Sequence, residues 1–227
     1  MSATQTKETL FSKKNRKLLS DPLNDNNPIT VQVLGICSAL AVTSTIMNSL
    51  VMSLAVIAVA AFSNLTISLL RNFIPSRIRM IVQMVVIASL VTLVSLILKA
   101  FVYDVSKELS VFVGLIITNC IIMGRLEAFA MGNKPWPSFL DGIGNGIGYG
   151  IILIAVGFIR ELLGFGSLFG YNIFGSDATH GINFLKGSFF HDFTHNGLMV
   201  LPLASIFIIG VLIWVQRAWN QELVDVS

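Results

Sequence analysis

Long apolar stretches, separated by short polar or basic segments, follow one another along most of the chain. The charge-free run from Ile29 to Leu70 is long enough to hold two membrane spans of about 20 residues each, with a break near Met47–Ser53. The later stretches predict four further spans, at Met80–Leu98, Leu109–Gly124, Gly142–Ile159 and Gly197–Gln216. The pattern therefore predicts an all-α integral membrane protein with six transmembrane helices.

Composition agrees with this class and defines the flanking segments. Hydrophobic residues make up 54% of the chain and charged residues 12%, whereas soluble domains carry about 25% charged residues. A six-helix membrane domain, 29–217, is expected between a solvated, partly disordered N-terminal tail, 1–28, and a C-terminal tail, 218–227. The polar start of the chain does not predict a cleavable signal peptide.

The basic residues predict the orientation of the chain and do not indicate nucleic acid binding. The sequence has 15 lysines and arginines, and outside the tail they cluster at the ends of the apolar stretches. Most of them fall on one side if the N-terminus is cytoplasmic. Because positive charge collects on the cytoplasmic side, both termini are expected there.

Six spans divide into two halves of three, 29–98 and 109–217. An odd number of spans per half makes the second half enter from the opposite side, which is the geometry of an inverted repeat. Each half opens with a span that holds one cysteine, and each contains a span that ends at an arginine, Arg71 or Arg160. The fold class expected is therefore two inverted three-helix repeats.

The two cysteines of the chain, Cys37 and Cys120, are expected at similar depths in interrupted first and fourth helices. At about 1.5 Å per residue, Cys37 would lie roughly 12 Å from the cytoplasmic start of its span, and Cys120 roughly 17 Å from the outer start of its own. Gly35 and Ser38 flank the first thiol and Asn119 precedes the second. Interrupted helices at matching positions of two halves indicate a site near the bilayer midplane.

The thiols have more than one interpretation. Each could be a small buried hydrophobic residue, and a disulfide is not favoured because both lie in apolar segments. Iron–sulfur clusters and structural zinc sites usually have four protein ligands, so two thiolates would leave two ligands to a partner. The three histidines cannot complete the site, because they fall in the long connection 164–196 and are expected to be solvated there: His180, His191 and His195.

Two other features have ordinary interpretations. The run DGIGNGIGYG, from Asp141 to Gly150, lacks the spacing of a phosphate-binding motif. Its glycines at four-residue steps, Gly142, Gly146 and Gly150, are typical of a helix face that another helix approaches closely. Several charged residues near span ends are expected to anchor at the membrane interface, with ion handling as the alternative: Arg125, Glu127, Asp141, Arg160 and Glu161.

Several segments in order resemble one family of membrane subunits. They are LGICSALAVTS (34–44), SNLTISLLRNFIP (63–75), VGLIITNCIIMGRLEAFAM (113–131), the glycine run and REL-x-G (160–164). The family comprises the D subunits of the sodium-translocating NADH:quinone oxidoreductase, Nqr, and the E subunits of the related Rnf complex. Ser38 follows the first thiol where the Rnf subunits typically have proline, so the resemblance is closer to Nqr.

The resemblance implies that Cys37 and Cys120 ligate one [2Fe–2S] cluster together with two thiols of the homologous E subunit. Gly35 and Asn119 would bring amides toward the cluster sulfurs. The cluster would relay electrons from NADH toward quinone, coupled to sodium export, in a complex with the A, B, C, E and F subunits of Nqr in the bacterial inner membrane. The chain would then belong to an enzyme without having a catalytic residue, a nicotinamide site or a flavin site of its own.

Two further classes compete with this expectation. A secondary transporter could be built on the same inverted repeat, but its midplane would offer mostly thiols, hydroxyls and one asparagine, which make a poor ion site. A structural membrane subunit would carry inert thiols. Iron content distinguishes the redox subunit from both.

Overall fold

The computed structural model describes residues 19–20, 22, 27–75, 77–101, 114–164, 167–168, 171–172 and 201–219. Apart from one small hairpin, the elements found there are helical. The helices are α1 (Ile36–Val42), α2 (Ile46–Leu70), α3 (Arg79–Phe101), α4 (Cys120–Arg125), a π-helical segment (Leu126–Ala130), α5 (Pro135–Gly164) and α6 (Pro202–Trp219). The hairpin pairs β1 (Ser167–Leu168) with β2 (Tyr171–Asn172), antiparallel.

Among the described residues, three helices are long and apolar enough to cross a membrane. They lie at Ile46–Leu70, Arg79–Ile97 and Pro135–Gly164, and the apolar part of α6 is shorter. These three confirm the second, third and fifth predicted spans. The count of six spans and the inverted repeat stay predictions.

The first predicted span is not one continuous helix. α1 has only 7 residues, and the predicted break near Met47–Ser53 is wrong, because α2 is helical from Ile46 onward. The chain breaks at 43–45 instead. There the Thr43 hydroxyl donates to the Ala39 carbonyl at 2.6 Å, and the Thr45 hydroxyl accepts from the Asn48 amide at 3.4 Å and caps α2. Hydroxyl side chains that bond the local backbone in this way compete with helix continuation.

The segment before α1 is non-helical, and its first part, 27–30, is buried. Asn27 accepts hydrogen bonds from the amides of Ile29 (3.0 Å) and Thr30 (3.4 Å), and its own amide donates to the Gly148 carbonyl in α5 at 3.2 Å. Pro22 and Asn27 are both buried, so the end of the predicted solvated tail is wrong at these two residues. Irregular backbone inside a membrane protein needs this kind of internal pairing.

The predicted glycine face is confirmed, and it joins α5 to α2. A Cβ atom at Gly142 would lie 2.7 Å from the Ala60 carbonyl oxygen, and one at Gly157 would lie 2.6 Å from the Ser49 hydroxyl oxygen. Residues later in α5 thus meet residues earlier in α2, so the two helices are antiparallel. α5 is longer than predicted at both ends, with 30 residues, and its first residue is a proline, which favours the first helical turn.

The fourth predicted span is interrupted, as expected, but its end is wrong. Residues 114–117 are helical, the helix stops at 118–119, and α4 begins at Cys120. Helical structure then continues past the predicted end at Gly124 and includes Arg125 and Glu127. The histidines of the 164–196 connection and the start of the sixth span lie outside the described residues.

Candidate functional site

The two helix breaks that flank the thiols are in direct contact. The backbone amide of Gly35, two residues before Cys37, donates a hydrogen bond to the sulfur of Cys120 at 2.9 Å. The two residues are 85 positions apart in the chain. This contact brings the two interruptions to one place in the fold, and the position of that place at the bilayer midplane stays a prediction.

Gly35 fits this place because it lacks a side chain. Its φ is +78°, in the left-handed region that favours glycine, and it stands just before α1. A Cβ atom there would lie 2.5 Å from Cδ1 of Ile121, the residue after the second thiol. The close approach of the two breaks therefore depends on this glycine.

Asn119 shapes the second break. Its side-chain oxygen accepts a hydrogen bond from the Ile121 amide at 3.1 Å, which caps α4 and places Cys120 at the first position of that helix. The residue is fully buried. Its side-chain nitrogen has no hydrogen-bond partner in the described part of the chain. A buried donor without a partner is costly and suggests an acceptor supplied by a bound group or a neighbour.

Tyr149 of α5 lies close to both breaks. Its side chain is fully buried, and its hydroxyl is 2.8 Å from the Ser38 hydroxyl, next to the first thiol. Ser38 in turn donates to the Gly35 carbonyl at 2.9 Å. The sequence reasoning missed Tyr149, although it is the one aromatic residue inside the glycine run.

The thiols differ in exposure. Cys37 is exposed in the isolated chain and Cys120 is partly buried. Within the isolated chain Cys37 is therefore not a buried residue. The interpretation of the two thiols as inert stays an alternative. No group of three or more histidine, cysteine, aspartate or glutamate side chains suitable for a metal occurs among the residues that the structure describes. This part of the chain can offer two sulfurs to a soft metal centre and needs other ligands to complete it.

Two charged residues at the end of α5 form hydrogen bonds with the break between α1 and α2. Arg160 donates to the Thr43 hydroxyl at 2.7 Å and to the Leu201 carbonyl at 3.2 Å, and a Glu161 oxygen accepts from the Ile46 amide at 2.6 Å. Both charged residues are buried, at 3% and 4% exposure, so the interpretation of them as interface anchors is wrong. Their partners are groups of the helix break and of the chain before α6, which a sequence pattern cannot show.

A second charged cluster lies at the other end of α5. Arg125 of α4 donates to both carboxylate oxygens of Asp141, one of them at 3.0 Å, and Asn145 donates to the same carboxylate at 3.1 Å. Asp141 is only 1% exposed, so it is a core ion-pair residue rather than an interface anchor. Glu127 pairs with Arg79 of α3 in a more exposed position, which fits the anchor interpretation better.

Together these features define a helical membrane protein in which two interrupted helices bring two thiol-bearing breaks into contact. The family described as "Rnf-Nqr subunit, membrane protein" matches residues 15–213, and the chain belongs to this family. It is 55% identical over 214 residues to the D subunit of the Na(+)-translocating NADH-quinone reductase of Shewanella putrefaciens, covering 94% of this chain and 97% of that protein. The corresponding D subunits of Shewanella sp. strain ANA-3 and Shewanella baltica strain OS155 are 56% identical over the same shares.

Proposed function

We propose that this chain is a membrane subunit of a sodium-translocating NADH:quinone reductase, in which Cys37 and Cys120 supply half of the ligands of an intramembrane [2Fe–2S] cluster. The relatives that carry this name match almost the full length of the chain. The enzyme activity belongs to the complex, and this chain contributes a redox site to it. The Rnf complex, which shares the family, is the alternative setting for the same role.

The observation that carries the cluster assignment is the hydrogen bond from the Gly35 amide to the Cys120 sulfur. It brings the two thiol-bearing breaks together, and amide donors to sulfur are among the groups that set cluster potentials. Asn119, the buried residue before the same thiol, fixes the start of α4 by accepting a hydrogen bond from the Ile121 amide.

The donor set of the chain fits one half of such a cluster. A [2Fe–2S] centre takes four thiolates, so the two thiols of this chain, an exposed Cys37 and a partly buried Cys120, would need two more from outside. A homologous E-type subunit, packed in the opposite orientation, would supply them. When bound, the cluster would provide one-electron transfer between the two sides of the membrane. The chain would hold the thiols in place and exclude water from their inner side.

Contacts at the two ends of the long helices support the inverted repeat. Arg160, at the end of α5, donates to Thr43 in the break before α2 at 2.7 Å. Arg71, at the end of α2, donates to the carbonyl of Asn133 in the break before α5, also at 2.7 Å. An arginine at the end of each of these two long helices, α2 and α5, thus forms a hydrogen bond with the break that precedes the other helix. The order of short thiol helix, long helix and third helix also occurs twice, in α1–α3 and in α4–α6.

The partners follow from this role. We propose that the chain assembles with the A, B, C, E and F subunits of Nqr, most directly with the E subunit, in the bacterial inner membrane, with both termini cytoplasmic. Sodium and quinone would be handled by the complex as a whole.

The test separates the entry of electrons from their passage across the membrane. Inverted membrane vesicles containing the complex with Cys37→Ala or Cys120→Ala are assayed for NADH oxidation by a soluble artificial acceptor, for quinone reduction and for sodium uptake. The first rate should stay within about twofold of the unsubstituted complex, because the NADH site lies on another subunit. Quinone reduction and sodium uptake should both fall to background.

Ser205→Ala is the matched control. It removes a buried hydroxyl that bonds the Pro202 carbonyl at 2.6 Å, within α6 and away from the two thiol breaks in the chain. All three rates should be preserved in this variant. Cysteine variants that still reduce quinone and accumulate sodium at the unsubstituted rate would refute the relay role.

A further inference from the structure

A chain of polar side chains links the residue beside one thiol to the residue beside the other. Ser38 follows Cys37 and Asn119 precedes Cys120. Tyr149 stands between them on α5, with its hydroxyl 2.8 Å from the Ser38 hydroxyl and close to the side chain of Asn119.

The direction of each hydrogen bond can be assigned by counting donors. The single hydroxyl proton of Ser38 is given to the Gly35 carbonyl, at 2.9 Å. The contact between Tyr149 and Ser38 therefore uses the tyrosine proton. The tyrosine oxygen keeps its lone pairs, and the buried Asn119 nitrogen, which lacks another partner among the described residues, is the donor available to them.

The hydrogen bonds thus run from Tyr149 to Ser38 and on to the Gly35 carbonyl, and the side chain of Asn119 lies near the tyrosine at the other end of this series. The amide of Gly35 then donates to the sulfur of Cys120. Tyr149 connects the two breaks within this series of polar groups, because the other members of the series belong to the breaks themselves. It is also held firmly, since it is fully buried and its helix packs closely on α2 through the glycine face.

We propose that Tyr149 is a positioning residue that aligns the two thiol-bearing breaks, and so sets the reduction potential of the centre that Cys37 and Cys120 hold. This inference rests on the proposed function. The hydroxyl acts through Ser38 and Asn119, which orient the Gly35 amide and the start of α4. An amide that points at a ligand sulfur stabilises the more negative, reduced state, so aligned breaks raise the potential.

The test is a potentiometric titration of the thiol-dependent electron paramagnetic resonance signal in the whole complex. In Tyr149→Phe the iron content should be kept, while the ratio of reduced to oxidised centre at a fixed potential falls by about tenfold, equivalent to about 59 mV for a one-electron couple. The g-values should shift with it. Ser38→Ala breaks the next link, so it should lower the potential in the same direction.

The control is Ser138→Ala on the same helix. Its hydroxyl is also fully buried and bonds the Lys134 carbonyl, at 3.0 Å, just before the start of that helix. The potential should not move in this variant. The double variant Tyr149→Phe/Ser38→Ala should shift the potential by less than the sum of the two single shifts, because both changes break one chain.

The outcomes separate this inference from the proposed function. A signal that depends on both cysteines and keeps its potential and g-values in Tyr149→Phe and Ser38→Ala would overturn the role of Tyr149 and leave the cluster assignment intact. If the unsubstituted complex has no thiol-dependent signal, the proposed function fails and this inference fails with it. If Tyr149→Phe does not assemble, Ser38→Ala decides the question by the same measurement.

Discussion

The backbone amide of Gly35 lies 2.9 Å from the sulfur of Cys120, although the two residues belong to different halves of the chain. This contact requires that the first helix be interrupted at Gly35, because the amide of a residue inside a helix is already bonded to the preceding turn. At the second interruption, the Asn119 cap places Cys120 at the start of α4. The interruptions are therefore part of the site rather than defects of the helices. Their stability depends on partners elsewhere in the fold, which the following predictions test.

Gly35→Ala should damage both the fold and the site. A residue with a side chain in the left-handed conformation costs about 1–2 kcal/mol, and its Cβ would lie 2.5 Å from Ile121. We expect a loss of stability of at least this size in a denaturant titration followed by circular dichroism. Gly114→Ala is the control, because a Cβ there meets nothing within 4 Å. Equal stability of the two variants would contradict the role of Gly35.

Arg160→Gln should loosen the end of α1. The guanidinium holds the Thr43 hydroxyl, at the end of α1, together with the Leu201 carbonyl, and hydrogen bonds to a charged group are worth about 1.5–3 kcal/mol each. We expect a loss of stability of at least this size in the same denaturant titration. Arg217→Gln, an exposed change in α6, should leave the stability unchanged. Equal stability of the two variants would show that α1 is held by other contacts.

Gly142→Ala should separate α2 from α5. The added methyl group would lie 2.7 Å from the Ala60 carbonyl oxygen and 2.9 Å from the Ala61 Cα, and backbone atoms of a packed helix cannot move aside as a side chain can. Overpacking of this kind costs about 1–3 kcal/mol, measurable in the same titration. Gly210→Ala in α6, where a Cβ has free space, should be neutral or stabilising because alanine favours helix. A Gly142→Ala variant as stable as Gly210→Ala would refute the close packing of α5 against α2 at Gly142.

The Arg125–Asp141 pair should behave as a buried ion pair. Arg125→Met leaves the carboxylate of Asp141, only 1% exposed, without its cation, which costs about 3–5 kcal/mol. Adding Asp141→Leu should recover much of that loss, since an apolar pair of similar volume is often as stable. Arg79→Gln breaks the more exposed pair with Glu127 and should cost only about 0–1 kcal/mol. Additive losses in the double variant would argue against direct coupling of Arg125 and Asp141.

The long helices and the two interruptions could be predicted from the sequence, because apolar length determines a span and Gly35 and Asn119 are residues that end or cap helices. The four-residue glycine spacing likewise predicted the face on which α2 packs. The break between the first two helices was predicted too late in the sequence. Threonine hydroxyls stop the helix at 43–45 through hydrogen bonds to the local backbone.

The charged residues show what a sequence pattern leaves out. Arg160, Glu161 and Asp141 look like span-end anchors when only neighbouring residues are considered, yet each is buried against groups more than a dozen positions away. Tyr149 was missed for the same reason, because its partner Ser38 lies 111 positions earlier in the chain. The ligand role of Cys37 and Cys120 came from family resemblance and stays a prediction.

The most direct test of the central claim is an iron determination, with an electron paramagnetic resonance spectrum, on this chain co-purified anaerobically with its E-type partner. We predict about two iron atoms per pair, as a [2Fe–2S] centre requires, and a signal in the reduced sample. Both should be lost in Cys37→Ala and in Cys120→Ala and kept in Ser205→Ala. A well-folded pair that contains no iron would contradict the account and would show that the two thiols are inert.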